Sequence, residues 1–164
     1  MKLSKIMILA ITLFLAVGIV AAVDVSDLKA PSNFKSDDGY FYETNALGLM
    51  DENGVVINIF TDKDLELAKN ATNATEQSFS DYFVNDTESK YTVESTDDAN
   101  IFSFEDGVNE LKGYVELVKI GDEQVVIESS VSSNASDDSL NKSLDSLKEF
   151  NELNNFELLD PSSL

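Results

Sequence analysis

LKGYVELVKIGDEQVVIESSV, residues 111–131, alternates apolar and polar side chains on both sides of Gly121-Asp122. A two-residue period is the mark of a strand, and a glycine followed by an acid at its centre turns one strand back on the next. The stretch therefore reads as a long β-hairpin. Tyr114, Val118 and Ile120 share one side with Glu116 among them, while Val115 and Leu117 lie opposite. Such mixing of apolar and polar residues predicts a hairpin partly covered on both faces.

On the C-terminal side, SSNASDD (132–138) is a loop that ends in the N-cap candidates Ser136 and Asp137. In SLNKSLDSLKEFNELN (139–154), Leu140, Leu144, Leu147 and Phe150 or Asn151 keep the period of one helical face. A long amphipathic helix is expected there, followed by a short extended segment at FELLD (156–160) and a tail at 161–164. On the N-terminal side, KYTVEST (90–96) and NIFSF (100–104) read as strands about the acidic turn Asp97-Asp98. Further back, GYFYETNALGLM (39–50) and GVVINIFT (54–61) form another pair, joined through Asn53-Gly54, residue types that tolerate positive φ. Between the two strand pairs the period changes. Leu65 and Ala68, then Phe79, Tyr82 and Phe83, stand at helical spacing on either side of NATNAT (70–75), a run of poor helix formers. The aromatic trio reads as core packing.

The expected class is α+β, an antiparallel sheet of hairpin-linked strands with helices packed on it, in a single domain over 36–160. No glycine-rich turn follows any strand, so a dinucleotide-binding fold is not expected.

Residues 1–23 read as a signal peptide or an N-terminal membrane anchor: Lys2 and Lys5 precede an apolar run from Ile6 to Val23 that ends in small residues suited to cleavage after Ala22. About 18 apolar residues is also the lower limit for spanning a bilayer, and the lysines would hold the short end inside. Both readings put the acidic remainder outside the cell or on the outer face of the cytoplasmic membrane. Residues 24–35, with Pro31 and several Ser and Asp, read as a linker.

Lys and Arg total 11 against 31 Asp and Glu, a net charge of −20 that becomes −22 without Lys2 and Lys5, and every basic residue is lysine. Such a surface repels phosphate backbones, so no nucleic-acid partner is expected, and contact with a membrane would come only through an uncleaved N-terminal segment. The chain has no histidine, cysteine or arginine. An imidazole base, a thiol nucleophile, His- or Cys-held zinc and a bidentate phosphate clamp are thereby unavailable. No disulfide can form, so an exported domain of this chain rests on its apolar core.

What remains is carboxylate, hydroxyl, lysine and backbone chemistry. Ser-x-x-Lys occurs at 32–35 and 139–142 without the companion motifs of penicillin-recognising enzymes. Paired acids could serve a carboxylate-dependent hydrolase or, with Tyr40 or Tyr42, a calcium-dependent carbohydrate binder. Among the acidic turns, Asp97, Asp98 and Asn100 offer the best hard-oxygen cluster for calcium, but none matches a twelve-residue calcium loop, and turn chemistry explains the composition equally well. Five Asn-x-Ser/Thr triplets, at Asn70, Asn73, Asn85, Asn134 and Asn141, fall in expected loops or helix edges, where a glycan could be carried.

Pro31 to Phe34 ahead of a strand pair, the aromatic segment Phe79, Tyr82 and Phe83, the long hairpin at Gly113-Tyr114 and a C-terminal helix together resemble the PsbP-like family. The resemblance covers most of residues 34–158 and rests on element order. It implies an α/β/α fold without enzymatic activity or cofactor, used to dock other proteins, and it transfers no binding residue. The expectation is an exported or tethered accessory domain whose partner is another exported or envelope protein, with a glycosylated structural component of the envelope as an alternative.

Overall fold

The computed structural model describes residues 28–34, 47–51, 54–61 and 78–164. Strands β1 (Leu47–Met50) and β2 (Val56–Thr61) precede a 3-10 turn at Phe79–Tyr82. Then follow β3 (Tyr91–Ser95), β4 (Ile101–Asp106), β5 (Leu111–Ile120) and β6 (Glu123–Ser132). Helix α1 (Asp137–Asn154), β7 (Glu157–Leu159) and a 3-10 turn at Pro161–Ser163 complete the chain. The strands form one antiparallel sheet in the order β1-β2-β6-β5-β4-β3, with β7 paired to β5. An α+β architecture built on an antiparallel sheet is what the described residues form.

The 111–131 hairpin is its spine. β5 and β6 pair without interruption from Leu111↔Ser132 to Ile120↔Glu123, and Gly121 turns between them at φ +63°. Gly113 serves another purpose. A Cβ there would lie 2.0 Å from the Ser129 carbonyl oxygen, so the two strands approach as closely as they do only because this position lacks a side chain.

Two apolar layers flank the sheet. Ile57, Ile59, Val118, Val125 and Ile127 meet Leu147 and Phe150 of α1 on one face. On the other, Phe60, Val115, Leu117 and Val126 pack with Tyr91, Phe104, Phe79 and Tyr82. Phe60 stacks on Tyr82 at 5.4 Å and Tyr91 on Phe104 at 5.6 Å, which confirms the core role read for the aromatic segment. That segment is a single 3-10 turn, fixed at its start by the Ser78 N–H donating to Asp81 Oδ2 at 2.8 Å. The helical segment expected before it, and NATNAT itself, lie outside the described residues, as does 39–46 of the first expected strand.

Helix α1 starts at its expected cap, the Ser136 hydroxyl accepting from the Ser139 N–H, and ends in left-handed Asn155. Its inner face is rotated from the leucine stripe. Ser143, Ser146, Leu147 and Phe150 are buried, while Leu140 and Leu144 are half-buried. The small serines let the helix sit close to the sheet, and the Ser143 hydroxyl donates at 2.9 Å to the Ser129 carbonyl of β6.

Part of the expected linker is instead integral to the fold. Residues 28–34 form a strap along the C-terminal half of α1, and Phe34 is buried in the helix-side core with Leu28 and Ala30 against it. The Lys29 N–H donates to Asn154 Oδ1 at 2.8 Å, and Asn154 Nδ2 returns a bond to the Lys29 carbonyl at 2.9 Å. Ser32 donates twice to the Glu149 carboxylate. Asn33 Nδ2 reaches both Asp51 and Ser146 at 2.9 Å. The polar composition that suggested a linker supplies these ties.

Candidate functional site

Helix α1 packs on β5 and β6 and, beyond the buried Ile101, leaves the same face of β3 and β4 open to solvent. Pairing fixes which side chains line that open half: Thr92, Glu105 and Lys112 stand in one row across the strands, and Glu94, Ser103 and Tyr114 in the next. Together with Leu140 at the edge of α1 they bound a groove of about 390 Å³. A second hollow of about 240 Å³ adjoins it, sharing Thr92, Glu105 and Lys112. The Lys112 ammonium donates to the Ala135 carbonyl at 2.8 Å, so this lysine closes the end of the groove against the loop that precedes α1.

The lining is hydroxyl-rich and acidic. Glu94, Glu105 and Thr92 are exposed, and the half-buried Tyr114 has its phenol pKa raised by burial and by Asp145 of α1. A phenol held neutral beside carboxylates can donate a hydrogen bond, and the carboxylates attract cations. The arrangement suits recognition of an extended, positively charged, hydrogen-bonding segment.

Two acids lie deeper, side by side on the central hairpin. Glu116 points to the α1 side and Glu128, opposite Val115 in register, to the other. Burial pushes the Glu116 carboxyl up to about 8; a hydrogen bond from Asn151 opposes this and the charge of Asp98 adds to it. Glu128 is pushed to about 7, again by burial first, with Ser130 and Asn58 opposing and Asp106 adding. Burial and the charges of Glu128 and Asp106 raise the pKa of the Tyr91 phenol, which donates to the Tyr82 carbonyl at 3.1 Å. Asn151 Nδ2 donates to Glu116 Oε2 at 2.8 Å, while Glu116 Oε1 and Asn151 Oδ1 lack partners. A proton on Glu116 lets those two oxygens share it, closing an acid–amide ring.

Of the sequence candidates, Asp97, Asp98 and Asn100 lie together in the β3–β4 turn. Asp98 Oδ1 accepts from the Asn100 N–H at 3.3 Å, and the Thr96 hydroxyl bonds the Asp98 N–H and the Ile101 carbonyl. These contacts are turn chemistry. Among the described residues no group of three or more acidic, His or Cys side chains could hold a metal. Asn85, Asn134 and Asn141 are exposed, the first two in loops and the third on α1. Asn70 and Asn73 lie outside the described residues, as does the apolar N-terminal segment; no described helix is long and apolar enough to cross a membrane.

Sequence reasoning placed neither the groove nor Glu128. The groove depends on where α1 stops covering the sheet, which no local pattern records. The buried acids did carry a signal: Glu116 stands within the apolar run Tyr114 to Val118, and Glu128 directly follows Val125, Val126 and Ile127. Compared with known proteins, the chain matches no family model, no curated protein and no solved structure.

Proposed function

We propose that this is a non-enzymatic accessory domain, exported or membrane-tethered, that docks a lysine- or arginine-rich segment of another exported protein in the groove over β3, β4 and β5. The observation that carries the reading is the open half of the helix-side sheet face, with Glu94 and Glu105 exposed on a floor of hydroxyls. Charge complementarity selects the occupant, because a chain of net charge −20 attracts basic segments and repels acidic ones. Membership of the PsbP-like class is part of the proposal, supported by the seating of Pro31 to Phe34 ahead of the strands, the long hairpin and the C-terminal helix.

Titrating the chain from Val23 onward with a lysine-rich peptide, followed by amide NMR, tests the docking. Shifts should concentrate in β3, β4 and the start of β5, and Glu94→Gln with Glu105→Gln should weaken binding at least about fivefold, the scale of roughly 1 kcal/mol. Shifts spread evenly over the surface, or indifferent to the double substitution, would overturn the site. Hydrolysis of ester, peptide or glycoside substrates that one carboxylate substitution abolishes would overturn the non-enzymatic reading.

A further inference from the structure

Asn85 stands between the first 3-10 turn and β3, the last strand on its side of the sheet among the described residues. An outer strand exposes a row of backbone groups that invites pairing with another chain. Here two of the outward N–H groups are already taken. The Tyr91 N–H donates to the Asp86 carbonyl at 2.9 Å, and the Val93 N–H donates to Asn85 Oδ1 at 2.8 Å. Because the strand supplies a donor, the amide must turn its oxygen inward, and its planar geometry then aims Nδ2 away from the strand.

This orientation matters because Asn85-Asp86-Thr87 is one of the five acceptor triplets. Asn85 and Thr87 are both exposed, in a turn held by Asp86, whose Oδ1 accepts from the Glu88 N–H at 2.9 Å. The other two described triplets have committed their hydroxyls to α1. Ser136 is the helix cap, and Ser143 is fully buried against β6. On a helix, moreover, residues two apart do not face each other, so one enzyme site cannot grip Asn141 and Ser143 together.

We infer that Asn85 carries an N-linked glycan, which shields the outer edge of β3 and the exposed Val84 beside it. The inference rests on the domain facing outward. The donor is a lipid-linked phosphosugar: Nδ2 bonds to the anomeric carbon, the carbon–oxygen bond to phosphate breaks, and the amide proton leaves with the released phosphate. Oδ1 keeps its bond from Val93, so modification and edge protection are compatible.

The test is to fractionate the native host, recover the protein and map its peptides by mass. A glycan on the Asn85 peptide is the expected result, with Thr87→Val removing it while sparing the bond to Val93. A bare Asn85 in exported protein would overturn this inference and leave export intact. Unmodified protein confined to the cytosol would overturn both. Modification that persists in Thr87→Val would also sink it, because the triplet would not be what is read.

Discussion

Glu116 and Glu128 set the pH response at the level of single side chains. Each has a folded pKa, about 8 and about 7, above the ordinary 4.5. Below 4.5 both states are protonated and neither residue costs anything. As pH rises past 4.5 the unfolded chain releases protons that the native chain holds, so stability falls, through about pH 7 for Glu128 and about pH 8 for Glu116. The combined loss is on the order of 8 kcal/mol. Glu116→Gln keeps the shape and can still pair with Asn151. It should flatten the stretch of the profile between pH 7 and pH 8 and raise the thermal midpoint at pH 8 by several degrees, roughly 2–4 °C per kcal/mol at this size. A variant whose melting profile tracks the parent at every pH would mean that Glu116 is ionised in the native protein.

Among the elements, legibility followed local pattern. The β5–β6 hairpin was plain because alternation and Gly121 agree, and α1 was plain because its leucines and cap agree. Its true inner face was harder to see. Ser143 and Ser146 are small rather than apolar, and only the contacts of the first with Ser129 and of the second with Asn33 show why they are buried. The strap misled for a similar reason: Ser32 and Asn33 look solvated until Glu149, Asp51 and Ser146 come to meet them. Deletion separates the two readings of residues 24–35. Removing residues 1–27 keeps Phe34 in the core and the ties of the strap at Lys29 and Ser32. Removing 1–35, which takes Phe34 from the core, should cost about 3 kcal/mol or more by analogy with phenylalanine truncation. Equal stability of the two truncations would show that the strap contributes nothing.

For the molecule as a whole, 31 acids against 11 lysines make self-repulsion a standing cost. Salt should relieve it, since the screening length falls from about 10 Å at 0.1 M to about 3 Å at 1 M. The thermal midpoint at neutral pH should therefore climb by several degrees, on the order of 1 kcal/mol, as sodium chloride is raised over that range. A flat response would place the acids too far apart to repel one another. Composition alone leads to this prediction and excludes imidazole and thiol chemistry. The groove stayed hidden because it arises from the offset between helix and sheet, a property of the assembled layers.

The strap also sets a leash. Its ties at Lys29 and Ser32 bind the chain to the far end of α1, at Asn154 and Glu149, so four residues, Asp24 to Asp27, separate Val23 from the fastened part. Four residues reach on the order of 15 Å when fully drawn out. With the apolar stretch retained in a bilayer, the tie of the strap to the C-terminal end of α1 would keep that end of the domain within a short chain's reach of the lipid surface. The groove borders Leu140, fourteen residues back along the helix from Asn154 or about 21 Å, so it would open away from the tethered end.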